Sequence, residues 1–274
     1  MMVGWGRLSG RLILLRKNQG AGPSRISSCL CAIAFQALIV FAAVGSGQTA
    51  PESSYFARRN SFGIFTAYSN DSSHMFLGTA ENRELFDVGA SYSRRLFLNR
   101  IVNWQYSGEL LPVALESDPV QNSVTTFTTD ATPPVTSTES TSMPTILACH
   151  PSSGNGNFPG FYSYTFVSTC GRRWTIGEAI SPVGFQWNFL TRLKTQPFFI
   201  GHGGYMYSTQ PIPVSYAGSF NFTFDLGAGL ELYRSRTKSI RAEYRYHHIS
   251  NHGTATNNPG IDNGLFQVTY SFGR

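Results

Sequence analysis

Polar and apolar residues alternate with a period of two along much of the chain beyond residue 60. The clearest example is the C-terminal stretch 266–272, whose even positions are Phe266, Val268, Tyr270 and Phe272. Polar residues occupy the odd positions between them. Because successive residues of a β-strand point to opposite faces, this pattern predicts a strand with one apolar and one polar face. The stretch 240–250 alternates in the same way, so the two stretches predict a terminal β-hairpin.

The same alternation recurs upstream and predicts eight strands in total. The other six are marked by the stretches 62–68, 86–92, 102–106, 183–189, 198–207 and 220–232. The connections between strands alternate in length. Short ones lie around 97–100, 191–196 and 234–239, and long ones at 70–83, 117–173, 208–219 and 251–261. An even strand number with short turns at one end only is typical of outer-membrane β-barrels.

These features predict an all-β fold, an eight-stranded antiparallel transmembrane β-barrel. A soluble β-sandwich is the alternative, but it would not need connections that alternate in length, and it would turn fewer aromatic residues outward. A sheet in lipid can have no free edge, so the last strand should pair with the first. The long connection 117–173 is rich in Thr and Ser. We expect it outside the cell, with a mobile Ser/Thr/Pro tract at 122–144.

Residues 1–48 have the pattern of a secretory signal peptide. Five basic residues and no acidic residue precede an apolar run at 29–44, and small residues follow it. A transmembrane anchor is the alternative, but the run is shorter than the roughly 20 apolar residues that a spanning helix needs. We therefore expect cleavage near 47–50 and a mature β-barrel at 49–274.

Without this leader the chain is nearly neutral. The whole sequence has 21 basic and 15 acidic residues. Five of the basic residues lie in the leader, which leaves 16 basic residues against 15 acidic ones. The high pI of the full chain is therefore mainly a property of the leader. This charge distribution gives no reason to expect nucleic acid as a partner.

Cys149 and Cys170 are the cysteines that remain after the leader. Both flank a loop rich in Gly, Pro and Ser, and in an exported protein this arrangement predicts a disulfide. A metal site formed by Cys149, His150 and Cys170 is the alternative, although no second close pair of ligands accompanies it. No Gly-rich phosphate loop, CxxC or HExxH motif occurs, so we expect no cofactor and no resident metal.

A polar pair interrupts the apolar face of the predicted terminal hairpin. His248 and Ser250 share the parity of Tyr244 and Tyr246 and stand at the end of the strand. Residues two apart on a strand share a face, so a hydrogen bond between this histidine and this serine is geometrically reasonable. The simpler interpretation is that both are interfacial polar residues without a chemical role.

The residues around this pair resemble a known family. The run His248-Ile249-Ser250-Asn251 is followed by Gly253, and Asp262 stands twelve residues after the serine. This pattern is similar to that of the lipid A 3-O-deacylases of the PagL type and of related sequences labelled acyloxyacyl hydrolases, which are eight-stranded outer-membrane esterases. The resemblance is strongest over residues 174–274.

The resemblance implies a role for each matching residue. Ser250 matches the nucleophile, and His248 matches the general base that takes the serine proton. Asp262 falls at the position of the acid that orients the histidine, where the family has Glu. Aspartate is one methylene shorter but serves in many Ser-His-acid sites. Asn251 and Gly253 match the oxyanion-stabilising positions, a side-chain amide and a backbone N–H.

These matches imply an esterase of the bacterial outer membrane that acts on lipid A, the anchor of lipopolysaccharide. Its partners would be this substrate and outer-membrane lipids, with a homodimer left open. Two other functions also stay open. One is a non-enzymatic barrel, such as an adhesin or structural protein, and the other is an outer-leaflet phospholipase. A barrel that only binds has no need of a nucleophile, base and acid on one outward face.

Overall fold

The computed structural model describes residues 55–274, so the predicted signal peptide at 1–48 lies outside the described residues. Ten β-strands follow one another in this part of the chain. They are β1 (Asn60–Ser69), β2 (Glu84–Leu98), β3 (Val102–Thr129), β4 (Thr136–Pro144), β5 (Ser152–Phe158), β6 (Tyr162–Phe189), β7 (Thr195–Ser208), β8 (Phe220–Tyr233), β9 (Lys238–Ser250) and β10 (Ile261–Gly273). Within residues 55–274 we find no helix that is long and apolar enough to cross a membrane.

Eight of these strands form a closed antiparallel ring. β1, β2 and β3 pair in order, β3 pairs with β6, and β6 to β10 follow in order. The ring closes where β1 pairs with β10, with Phe62 opposite Phe272 and Tyr68 opposite Phe266. Closure leaves no unpaired edge around the ring, as a lipid environment requires. The predicted all-β, eight-stranded antiparallel barrel is thereby confirmed.

The two faces of the ring differ as the alternation predicts. On the outward face of β10, Phe266 and Phe272 are about half exposed, and Ile64 on β1 is similar. Polar and charged side chains fill much of the lumen, including an ion pair between Arg245 and Glu109 at 2.7 Å, and a cluster of buried apolar side chains that includes Leu85 and Met206 packs beside them. An apolar outside with a polar, hydrogen-bonded inside is the arrangement that suits a barrel in lipid.

β3 and β6 continue far beyond the ring at the end that carries the long connections, which we call the outer end. Each strand is 28 residues long, and the two stay paired from Ser117 and Trp174 to Thr129 and Tyr162. β4 and β5 flank them, giving a projecting sheet with the order β4-β3-β6-β5. At about 3.3 Å per residue, the sheet extends roughly 40 Å past Ser117.

The structure here differs from the predicted long loop at 117–173 and its mobile tract at 122–144. Residues 122–129 belong to β3, and residues 136–144 form β4. The Thr and Val residues of this region suit extended strands. The period-two signal is nevertheless missing, because β4 is exposed along almost its whole length and so has no apolar face to contrast with a polar one.

Cys149 and Cys170 form a disulfide, as the sequence predicts. Cys170 lies in the projecting part of β6, opposite Gln121 of β3. The bond therefore ties the segment before β5 to the projecting sheet rather than to the ring. Because both sulfur atoms are joined to each other, the alternative metal site with His150 is not formed in this structure.

Candidate active site

His248 and Asp262 lie directly opposite each other on the outer ends of β9 and β10. Cross-strand partners in an antiparallel pair have neighbouring side chains on the same face. The imidazole Nδ1 and the carboxylate Oδ1 are 2.6 Å apart. Both side chains are buried, although they point to the outward face. The β1–β2 loop covers Asp262, to which Phe76 N donates. The structure thus brings together two of the three predicted triad members.

Asp262 accepts hydrogen bonds from four groups. Oδ1 accepts from His248 and from the hydroxyl of Tyr246 at 2.8 Å. Oδ2 accepts from the backbone N–H groups of Phe76 at 2.8 Å and Leu77 at 2.9 Å. Asp262 is 0% exposed, and a buried carboxylate is stabilised only when its oxygens are paired in this way. Four converging donors hold the carboxylate in one orientation and thereby fix the imidazole.

Three of these donors were not predicted from the sequence. Tyr246 could have been found, because it stands two residues before His248 and so shares its face. The N–H groups of Phe76 and Leu77 could not, because they come from a loop some 185 residues away along the chain. A backbone group carries no sequence signal of its own.

The main chain of the β1–β2 loop, residues 70–83, is held against the segment that leads into β10. Ala80 N donates to Gly260 O at 3.1 Å, and Thr79 N donates to Pro259 O at 2.6 Å. Gly78 packs so closely that a Cβ there would lie 2.7 Å from the backbone nitrogen of Asp262. Only glycine permits such an approach. The loop therefore places its N–H groups on the carboxylate through backbone contacts on its C-terminal side.

Ser250 is the last residue of β9 and lies two positions after His248, on the same outward face. It is half-buried and stands opposite Phe222 of β8. Within the described residues His248 and Ser250 share no hydrogen bond, and such bonds are often long before substrate binds. Because Nδ1 of His248 faces the carboxylate, its Nε2 is the nitrogen left to accept a proton from a serine hydroxyl.

The predicted oxyanion residues hold the β9–β10 loop together. Asn251 is buried, and its side-chain nitrogen donates to the carbonyl oxygens of Ala217 and Asn257, the latter at 2.6 Å. Its Oδ1 accepts from Gly253 N at 2.9 Å. Gly253 has a φ of 76° and follows His252 with a φ of 51°. In this conformation both predicted donors have partners inside the loop, and their oxyanion role stays a prediction.

A second Ser-His-Asp set lies inside the lumen. His202 Nε2 is 3.0 Å from Ser107 Oγ, and its Nδ1 is 3.1 Å from Asp225 Oδ1. All three residues are buried. Arg245 contacts both Asp225 and Glu109, so this set belongs to a charged network that packs the interior.

His202, Asp225 and Glu109 also lie close enough together to hold a metal ion. The Arg245 guanidinium already supplies a positive charge there, donating to both oxygens of Glu109 at 2.7 and 2.8 Å. Pairing buried carboxylates with an arginine satisfies their charge without a metal. The interpretation that fits these contacts is a structural network in a lumen filled by side chains.

The ring and the outward site define a class, an outer-membrane β-barrel with a serine and a buried histidine–carboxylate pair on its lipid-facing wall. Residues 152–271 match the family model described as "Lipid A 3-O-deacylase (PagL)". The match runs from β5 to β10 and includes His248, Ser250 and Asp262. The resemblance predicted from the sequence is therefore confirmed over this region, and the protein is a bacterial outer-membrane protein.

Solved structures with a similar fold include the outer-membrane enzyme PagL. That structure has 12% sequence identity and a TM-score of 0.44, and the match covers 77% of this chain and 99% of that one. Neisserial surface protein A has 12% identity and a TM-score of 0.38, with 78% and 97% covered. OprG from Pseudomonas aeruginosa has 8% identity and a TM-score of 0.34, with 79% and 97% covered. Among curated proteins no relative matches this chain.

Proposed function

We propose that this protein is an outer-membrane serine esterase that removes an ester-linked acyl chain from lipid A. The observation that carries the proposal is the 2.6 Å contact between His248 and the four-times hydrogen-bonded Asp262, with Ser250 on the same outward face. The family match over 152–271 supports lipid A as the substrate. A histidine and a carboxylate placed at a lipid interface only for polarity would not need such convergent donors.

The first half of the reaction forms an acyl-enzyme. Ser250 Oγ attacks the ester carbonyl carbon while His248 Nε2 takes the hydroxyl proton. Asp262 stabilises the resulting imidazolium through Nδ1–H. The tetrahedral intermediate then expels the sugar oxygen, which receives the proton from His248. The acyl group stays on Ser250, and the sugar leaves with a free hydroxyl.

The second half uses water. His248 takes a proton from a water molecule, whose oxygen attacks the acyl-enzyme carbonyl. Collapse of the second tetrahedral intermediate returns the proton to Ser250 and releases the fatty acid. We place the oxyanion donors at Asn251 and Gly253, as the resemblance implies. The Asn251 side-chain nitrogen now donates to the carbonyl oxygens of Ala217 and Asn257, and Gly253 N donates to Asn251 Oδ1. Substrate binding therefore has to release at least one of these two donors.

Aspartate can replace the family's glutamate because of the strand register. Asp262 stands directly opposite His248, and cross-strand Cβ atoms are about 4.5–5.5 Å apart. A short carboxylate reaches the imidazole across that gap without a further methylene. The 2.6 Å contact supports this explanation of the departure from the family pattern.

The position of the site suits a membrane substrate. His248, Ser250 and Asp262 point outward at the outer end of the barrel, where the predicted orientation places the outer leaflet. A lipid A molecule could then reach Ser250 by lateral diffusion. A homodimer stays a prediction, because nothing in this proposal needs a second copy of the chain.

Mass spectrometry of lipid A tests the proposal. Cells that lack deacylases should lose one ester-linked acyl chain from lipid A when they make the wild-type protein. Ser250→Ala and His248→Ala should abolish this loss while heat-modifiable gel mobility still reports a folded barrel. Ser107→Ala is the matched control, because it removes a serine from the lumen set and should keep the activity.

The outcomes separate the alternatives. Deacylation that persists in Ser250→Ala would place the nucleophile elsewhere. Accumulation of lysophospholipid with unchanged lipid A would favour the outer-leaflet phospholipase. No change in any lipid, with a correctly inserted wild-type barrel, would favour a non-enzymatic barrel.

A further inference from the structure

The β1–β2 loop exposes three consecutive apolar side chains beside the site. Met75 is 42% exposed, Phe76 76% and Leu77 64%. We call these three residues the loop tip. The rest of the loop from Asn70 to His74 is polar. Consecutive apolar side chains on a surface mark a place where an apolar partner is expected, and here they adjoin Asp262.

The main chain of the same tip faces the carboxylate. Phe76 and Leu77 expose their side chains and donate their backbone N–H groups to Asp262 Oδ2. The Phe76 ring also meets the Tyr246 ring edge-on, with centroids 5.4 Å apart. Tyr246 in turn donates to Asp262 Oδ1. Three of the four donors on Asp262 therefore belong to the tip or to the residue on which it packs.

The parts of the loop on either side of the tip are firmly held by hydrogen bonds. Ser72 Oγ donates to Ala80 O at 2.9 Å, and Arg83 N donates to Ser72 Oγ at 3.0 Å. His74 Nδ1 and Gly78 O, 2.8 Å apart, close the base of the tip. Among the described residues, Phe76 and Leu77 form side-chain-linked hydrogen bonds and ring contacts with Asp262 and Tyr246. A partner that packs on the exposed side chains of the tip therefore acts first on the groups that orient Asp262.

We infer that the loop tip is the acyl-chain contact surface of this site and that it couples chain binding to the triad. The inference rests on the proposed esterase function. A long acyl chain that packs on Phe76 and Leu77 would hold their N–H groups on Asp262, which in turn holds His248. A short chain would not reach the tip and would meet a less firmly oriented histidine. The protein would accordingly be selective for long acyl chains through kcat as well as KM.

Substitution of the tip side chains tests this coupling, since serine keeps both backbone N–H groups. The variants are Phe76→Ser, Leu77→Ser and the apolar replacement Phe76→Leu. Phe161→Ser is the matched control, because Phe161 is 75% exposed and lies in the turn between β5 and β6. The substrates are two chromogenic esters of one alcohol in detergent micelles, a 14-carbon and a 4-carbon ester. Ser250→Ala provides the zero level for both.

On the 14-carbon ester, each serine variant should lose roughly tenfold or more in kcat/KM, as expected when an apolar contact of this size is removed. Part of this loss should be in kcat, because the acid is less well oriented. The loss on the 4-carbon ester should be at least several-fold smaller. Phe76→Leu should retain most of the long-chain activity, and Phe161→Ser should behave as wild type.

Four results would overturn the inference. Equal losses on both esters would mean general damage to the loop. Unchanged long-chain activity would mean that the tip does not contact the chain. A change in KM alone would remove the coupling to Asp262. Wild-type activity that does not depend on Ser250 would overturn the proposed function and this inference together, whereas the first three results would leave the function intact.

Discussion

Replacing Asp262 by Asn removes the negative charge while keeping the size of the side chain. Its amide has one oxygen and one NH2 group, whereas the carboxylate now accepts from two donors on each oxygen. The backbone N–H groups of Phe76 and Leu77 can only donate hydrogen bonds. The Tyr246 hydroxyl and the His248 imidazole can also accept hydrogen bonds. The amide oxygen of the substituted side chain should therefore face the loop, and its NH2 group should face the histidine. His248 then holds its proton on Nε2, where it cannot act as a base.

The size of the effect follows from the lost contacts. A hydrogen bond to a charged group contributes roughly 1.5–3 kcal/mol. Losing the charged bonds from His248 and Tyr246 therefore costs about 3–6 kcal/mol of orientation and imidazolium stabilisation. At about 1.4 kcal/mol per tenfold in rate, Asp262→Asn should lower kcat roughly 10²- to 10⁴-fold. Folding should change little, because the two loop N–H groups keep an acceptor.

The assay is release of fatty acid from purified lipopolysaccharide, measured by gas chromatography with mass detection. Asp87→Asn is the matched control, because Asp87 is also buried but faces the lumen on β2. It should retain activity within about threefold if the barrel folds. Asp262→Asn with activity within threefold of wild type, at equal amounts of folded barrel, would show that Asp262 does not orient the base.

Three further predictions concern the acid, the topology and the disulfide. Asp262→Glu restores a carboxylate of the family's length, so lipid A mass spectrometry should detect more activity than in Asp262→Asn. Overpacking against the loop should keep this activity below wild type, and equal loss in both variants would contradict the prediction. A cysteine at Thr136 should react with an impermeant thiol reagent on intact cells, and one at Ser235 should react only after the outer membrane is opened; the reverse pattern would invert the barrel. Reduction of Cys149–Cys170 should increase protease cleavage of the projecting sheet and leave heat-modifiable mobility unchanged, because the bond lies outside the ring; loss of the folded mobility would refute this.

The eight-stranded ring can be predicted from the sequence because each of its strands has its own apolar outward face. The alternation at Phe266, Val268 and Tyr270 is a local signal, and it predicts both the strand and the direction of its side chains. The same parity places His248 and Ser250 outward. It also places Asp262 with them, and the structure has this residue opposite His248.

Other features depend on contacts that have no local signal. The projecting parts of β3 and β6 and the flanking strand β4 lack an apolar–polar contrast, so the Thr-rich region was expected to be a loop. The donors from Phe76 and Leu77 are backbone groups brought to Asp262 by a distant loop. The engagement of Asn251 with Ala217 likewise depends on the fold of the β7–β8 connection. Such groups are found only when the three-dimensional arrangement is known.

Covalent labelling of the nucleophile tests the central claim most directly. A long-chain alkyl fluorophosphonate, incubated with the folded protein in detergent, should add one adduct mass, and peptide mapping should place it on Ser250. His248→Ala should prevent the reaction, because the serine is then no longer activated. An adduct on Ser107 or another serine, or full deacylase activity without an adduct on Ser250, would contradict the assignment of Ser250, His248 and Asp262 as the catalytic set.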